Sequence, residues 1–127
     1  MAVVGIGVDR VVIARIERSL ERFGERFLRR VYTDTEIIQA QAKGNPARRF
    51  AMLFAAKEAA SKALGTGFNQ GVSPKFIETT HLSSGKPEIT LHGAAASIAA
   101  SLEIITIHIS LTDDDGIAMA FAVAESG

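Results

Sequence analysis

Cysteine is absent from the 127 residues, so neither a disulfide nor a thiolate metal site is available to this chain. No run approaches the ~20 consecutive apolar residues that a membrane-spanning helix needs. The opening Met1-Ala2-Val3-Val4-Gly5-Ile6-Gly7 lacks the positive flank and long apolar stretch of a secretion signal. The cytoplasm, away from the membrane, is the compartment expected from these absences. Internal repeats, low-complexity tracts and a Pro/Gly-rich linker are missing too, and a chain of this length has room for one compact domain, expected over residues 1–127. An excess of one charge is also lacking, since 14 Lys/Arg balance 14 Asp/Glu. The balance hides an asymmetry. Residues 1–63 hold twelve Lys/Arg against seven Asp/Glu and residues 64–127 two against seven, so a basic N-terminal surface can meet an acidic partner or phosphates.

The order of elements reads as α+β. Val3 to Val8 is a short apolar run between glycines, the pattern of a buried strand, with Asp9 at its end. Ile13, Ile16, Leu20, Phe23 and Phe27 then repeat at helical spacing, with Gly24 as a break or bend. Thr33-Asp34-Thr35-Glu36 fits a capping box that starts another helix. Pro46 suits the first turn of a long helix ending at Gly65. Residues 75–79 and 87–91 read as a hairpin and residues 93–102 as a helix of small side chains. Two closing strands follow, Ile105 to Leu111 and Ile117 to Val123, the second alternating with four alanines whose small face lets another element approach closely. Without regular strand-helix-strand alternation, a mostly antiparallel sheet packed with helices is expected.

Two carboxylates stand out. Glu58 continues the i, i+4, i+8 row begun by Phe50 and Phe54, so it points inward or to a rim, where it pairs with Lys62 or serves a ligand. Asp9, between strand and helix, can cap that helix or occupy a site at the strand end. Together they would suit magnesium, which favours oxygen ligands and bridges carboxylates to phosphates. Gly65-Thr66-Gly67 is either a helix cap or a backbone approach to phosphate. Gly5-x-Gly7 fails as a dinucleotide fingerprint because Arg10 stands where the third glycine belongs. His81, His92 and His108 have no metal-ligand spacing, and Asp113 to Asp115 reads as a solvated turn. Arg15, Arg18, Arg22 and Arg26 share one helical face beside a row of Glu17, Glu21 and Glu25. That face is either salt-bridged and solvated or a dock for an acidic protein helix; nucleic acid is disfavoured, because no aromatics interleave the arginines.

Taken together, Gly5-Ile6-Gly7-Val8-Asp9, Ile13-Ala14-Arg15-Ile16, Arg49-Phe50 and the run Phe54 to Gly67 resemble the two main motifs of the holo-acyl-carrier-protein synthases. Ser84-Gly85-Lys86-Pro87 and the closing strands extend the resemblance over nearly the whole chain. It implies a 4'-phosphopantetheinyl transferase-like fold and transfer of 4'-phosphopantetheine from coenzyme A to a serine of apo acyl carrier protein, releasing adenosine 3',5'-bisphosphate. Asp9 and Glu58 are implied as magnesium ligands, with Glu58 also helping to remove the serine proton. Lys62 is implied as a catalytic phosphate contact, with Arg49, Lys57, Gly65, Thr66 and Gly67 near coenzyme A. Arg15, Arg18 and Arg22 would face the carrier protein. A homotrimer with sites between subunits is implied, and the alanine face of the last strand is compatible with such packing. The chain departs from the family at Arg10 and Val12, and at Asp113, where many members carry a histidine near the substrate phosphates and a carboxylate cannot supply the same positive contact. A coenzyme A- or carrier-binding subunit without catalysis is the alternative, and it predicts loss of a metal carboxylate.

Overall fold

The computed structural model describes all residues, Met1–Gly127. A ten-residue strand β1 (Val3–Val12) leads into α1 (Ile13–Phe23), α2 (Glu25–Val31), α3 (Asp34–Gln41) and the central helix α4 (Pro46–Ala63). A 3₁₀ turn (Pro74–Phe76) precedes the hairpin β2 (Ile77–His81) and β3 (Pro87–Leu91), then come α5 (Gly93–Ser101), β4 (Ile104–Asp114) and β5 (Ile117–Ser126). Three strands form an antiparallel sheet in the order β1-β5-β4, and β2-β3 is a separate two-stranded sheet. The expected α+β class and mostly antiparallel pairing hold. No helix is long and apolar enough to cross a membrane.

The sheet and α4 approach closely because both surfaces are small. On β5, Ala118, Ala120, Ala122 and Ala124 are buried, and α4 answers with Ala55, Ala56, Ala59, Ala60 and Ala63. On β1, a Cβ at Gly5 would stand 2.0 Å from the Ala63 carbonyl oxygen and one at Gly7 2.0 Å from that of Ala59. Nothing larger than glycine fits. The element that approaches the alanine face of β5 is thus α4 of the same chain, so that face is filled and is not available to another subunit. The opposite sheet face is the uncovered one: Val4, Ile6, Val8, Met119 and Phe121 are exposed, Ile6 at 61 % and Phe121 at 48 %.

Local signals explain the helices near the site. Thr33 Oγ1 accepts from the Glu36 N–H while Glu36 receives the Thr33 N–H at 2.9 Å, completing the capping box that starts α3. Gly24, at φ 53°, separates α1 from α2. Pro46 opens α4, and Gly65 at φ 83° follows its last turn. The hairpin starts two residues later than expected because Pro74 turns the chain into the 3₁₀ turn first.

Candidate active site

Strand β1 does not stop at Asp9. It pairs with β5 through Val12↔Ile117, so Asp9 sits within the strand opposite Ala120, and the residue capping α1 is Val12. The helix-cap reading of Asp9 is thereby overturned: long-range pairing carries the strand past it. Side chains alternate along a strand, so Asp9 shares the α4-facing side with Gly5 and Gly7. The two glycines seat α4 so close that Asp9 meets the helix at Glu58 and Lys62.

Lys62 does not pair with Glu58 as the i, i+4 spacing allowed. Its ammonium reaches across to Asp9 Oδ1 at 3.0 Å and to the Val8 carbonyl at 3.0 Å. The other Asp9 oxygen, Oδ2, is buried and has no partner among the fixed donors of the fold; besides Lys62, only a protonated Glu58 can donate to this carboxylate. Beside it, burial pushes the Glu58 carboxyl up to about 7. Hydrogen bonding and charge repulsion from Asp9 add to the rise, and Lys62 and Arg15 oppose it. Two crowded carboxyls, one with an orphaned oxygen, are a donor set that would fit a hard cation. No third His, Cys, Asp or Glu joins them. Magnesium, which keeps several waters, can be held by one or two carboxylates, the number present here.

Asp9 and Glu58 open into a cavity of about 510 Å³ whose walls include Arg15, Arg18 and Arg22 from α1, with Phe23, Phe27 and Phe54 as apolar floor. The arginine face thus adjoins the carboxylates. The glutamate row does not neutralise it: the one ion pair formed there is Glu25 with Arg29, at 3.2 Å and on the surface. Arg22 and Arg26 instead lie 5.3 and 6.0 Å from the Phe23 ring centre.

Arg49 lies elsewhere, in a second cavity of about 550 Å³ lined by Lys43, Arg48, His81, Ser83 and Gly85. Burial and the charges of Arg49 and Lys43 push the His81 pKa down, a sign of how basic this cavity is. No spacing in the sequence links Lys43, Arg48 and His81, which come together only when the hairpin folds over α4. Asp113 borders this region through Arg48, its Oδ1 2.7 Å from the guanidinium Nη2, which holds the carboxyl below its usual range. Asp113 thus brings an arginine, Arg48, to this border as its ion-pair partner.

Two expectations fail on geometry. Lys57 has no exposed side chain. Its ammonium is spent on Glu36 Oε1 at 2.7 Å and on the Pro74 and Ile77 carbonyls at 2.9 and 2.7 Å, so it cannot touch coenzyme A. In the Gly65-Thr66-Gly67 loop all three N–H groups already donate to α4 carbonyls, Gly65 to Lys62 and the other two to Ser61. Thr66 is buried with its hydroxyl on the Gly67 carbonyl. The loop caps the helix and offers no cradle of free amides.

The chain is similar to known proteins along nearly its whole length. Residues 5–122 match the model of the 4'-phosphopantetheinyl transferase superfamily. The chain is 45 % identical over 125 residues to holo-acyl-carrier-protein synthase of Halorhodospira halophila, covering 98 % of this chain and 99 % of the relative. Among solved structures, the Neisseria meningitidis synthase superposes with a TM-score of 0.90 at 36 % identity, covering 98 % of this chain and all of that one. The Helicobacter pylori synthase, crystallised with coenzyme A, gives 0.83 at 34 % identity, covering 94 % and 99 %. The chain belongs to the 4'-phosphopantetheinyl transferase superfamily and, within it, to the family of holo-acyl-carrier-protein synthases.

Proposed function

We propose that this chain transfers the 4'-phosphopantetheine group of coenzyme A to a serine hydroxyl of apo acyl carrier protein, with Asp9, Glu58 and Lys62 as its reacting centre. The observation that carries the residue roles is the meeting of these three side chains in an incomplete hydrogen-bond network: Asp9 Oδ2 without a partner and Glu58 raised to about 7. Both carboxylates are present and adjacent, which favours catalysis over a silent binding subunit.

In the reaction the serine oxygen forms a bond to the phosphorus that bears pantetheine, and the bond from that phosphorus to the bridging oxygen of the pyrophosphate breaks. The departing adenosine 3',5'-bisphosphate keeps the electron pair. Glu58 helps to remove the serine proton, directly or through a bound water. Lys62, half exposed and tethered to Asp9, turns its ammonium to a phosphate oxygen as negative charge develops. Asp9 and Glu58 would hold magnesium, which would supply charge neutralisation at the pyrophosphate and the leaving group.

The basic cavity of Lys43, Arg48, Arg49 and His81 receives the phosphorylated nucleotide end of coenzyme A. Arg15, Arg18 and Arg22 receive an acidic helix of the carrier protein, whose serine then reaches Glu58 through the shared cavity. Within one chain the two cavities are separate, and the apolar sheet face of Ile6, Val8 and Phe121 lies uncovered. Both facts support a homotrimer in which the basic cavity of one subunit meets the carboxylates of the next; light scattering should read about three times 13.5 kDa. The cytoplasm is the compartment where these substrates meet.

The direct test incubates the protein with apo acyl carrier protein, coenzyme A and magnesium and weighs the carrier by mass spectrometry. A gain of one phosphopantetheine is expected. No gain, where a known transferase succeeds on the same carrier, overturns the reading.

A further inference from the structure

The hairpin β2-β3 is a two-stranded sheet of its own, a unit with little stability in isolation. One edge of β2 pairs with β3, through Ile77↔Leu91 and Thr79↔Ile89 among others. Toward its other edge there is no strand. Two charged side chains stand there instead: Lys57 from α4 donates to the Ile77 carbonyl at 2.7 Å, and Glu36 from α3 accepts from the Thr79 N–H at 2.8 Å. A donor and an acceptor at residues two apart supply what a neighbouring strand would offer. The pair is saturated. Lys57 also reaches the Pro74 carbonyl, Glu36 also holds the Thr33 N–H, and both side chains are wholly buried. Glu78, on the same strand, accepts from Thr33 Oγ1 at 2.6 Å and adds a further tie to α3.

The far end of this hairpin carries His81, Ser83 and Gly85, one wall of the basic cavity, while α4 carries Arg48 and Arg49, the facing wall. Lys57 belongs to α4 as well, so the node joins the two walls directly. We propose that the buried Glu36–Lys57 pair is a positioning device for coenzyme A, replacing a third strand at the free edge of β2 and so fixing the hairpin wall of the cavity against the arginines of α4. This rests on the reading that the cavity receives the nucleotide end of coenzyme A. Neither side chain touches the substrate; both act through His81, Ser83 and Gly85. The carboxylates Asp9 and Glu58 and the arginines of α1 line a different cavity, so metal and carrier binding lie outside the device's reach.

The test replaces the pair with near-isosteric neutral side chains, Glu36→Gln/Lys57→Met, which leaves no buried charge uncompensated. Two measurements are made on the folded variant: calorimetric affinity for adenosine 3',5'-bisphosphate, and KM for coenzyme A and for the carrier protein separately. KM for coenzyme A and the Kd of the nucleotide should rise roughly tenfold, the equivalent of about 1.4 kcal/mol, while KM for the carrier stays within about twofold. Glu36→Gln alone is the second variant. It keeps Lys57 on the Pro74 and Ile77 carbonyls, and burial already pushes the Lys57 pKa down, so the ammonium can lose its proton there. A smaller rise, about threefold, is expected for this partial loss of support, and it decides the matter if the double variant does not fold. Unchanged nucleotide affinity in a folded variant, or KM values for both substrates rising together, overturns the positioning role. A wild-type protein that neither binds the nucleotide nor modifies the carrier overturns the coenzyme A reading itself, and the role with it.

Discussion

Helix α4 carries two lysine–carboxylate pairs, Lys57 with Glu36 and Lys62 with Asp9, and they differ in every respect but their chemistry. The first is dry and finished: both side chains have zero exposure, and all three lysine hydrogens have acceptors. The second is open and unfinished: Lys62 is 51 % exposed, Asp9 Oδ2 is buried without a partner, and Glu58 crowds the same spot. A buried polar atom without a partner is uncommon in a folded protein and marks strain, chemistry or an atom that a water or ion satisfies. The completed pair therefore belongs to the architecture and the incomplete one to the chemistry, although Lys57 and Glu58 are adjacent in sequence.

The largest effects should fall on opposite observables. Asp9→Ala and Glu58→Ala each should lower the transfer rate by roughly a thousandfold, the scale of losing a charge-stabilising group at a reacting centre, while the urea midpoint is held or raised. Wild-type turnover in either, with the same magnesium dependence, would erase the contrast. Lys57→Met alone leaves the Glu36 carboxylate buried without its counter-charge and should cost about 3–5 kcal/mol of stability, read as a large fall in the urea midpoint. A neutral shift there would make the saturated pair dispensable.

Much of the finished half was legible in the sequence. Thr33 and Glu36 read as a capping box, Pro46 and Gly65 bracket α4, and the alanines of β5 announced a close neighbour. What stayed hidden depended on pairing between distant segments. Asp9 looked like a strand end because nothing nearby shows β1 continuing to Val12 against β5. Lys57 was placed near coenzyme A by resemblance alone, and its burial is a long-range effect: α4 is enclosed by α1, α3, β1 and β5 and buries residues around most of its circumference. The signal that could have exposed it is the company it keeps, alanines at 55, 56, 59 and 60 that leave little room for water. Glu36 was read correctly as a cap, and that reading concealed its second oxygen.

A third comparison is with pH. A carboxyl whose folded pKa, about 7, exceeds its unfolded value near 4.5 binds protons in the native state that the unfolded chain has released. Its contribution to stability is full below about 4.5 and is lost as pH rises through 7. Metal-free protein should thus lose stability over that window, and Glu58→Gln should flatten the loss; identical curves for wild type and variant would show that the two carboxyls do not crowd each other. Protons and magnesium compete for Glu58, so magnesium affinity should rise over the same window. At the rim, Arg15→Glu should raise KM for the carrier roughly tenfold with little change for coenzyme A. Equal changes for both substrates would remove α1 from the docking surface.

The smallest effect sharpens the comparison most, because the finished node contains one flaw. Thr79 is wholly buried on β2, its N–H is held by Glu36, and its hydroxyl Oγ1 has no partner. It is the only buried side-chain oxygen besides Asp9 Oδ2 left in that state. If an orphaned atom is a cost in the native fold unless a ligand removes it, the two orphans must answer differently to deletion. Thr79→Val keeps the backbone bond and the volume and discards only the stranded hydroxyl, so it should stabilise the protein by about 1 kcal/mol, seen as a raised urea midpoint with or without magnesium. Asp9→Ala should also relieve a cost in the metal-free protein, but magnesium, which stabilises wild type by mass action, should no longer raise its midpoint. A valine variant less stable than wild type would mean that Oγ1 is satisfied by a buried water, and the orphan at Asp9 would then lose its standing as a mark of function.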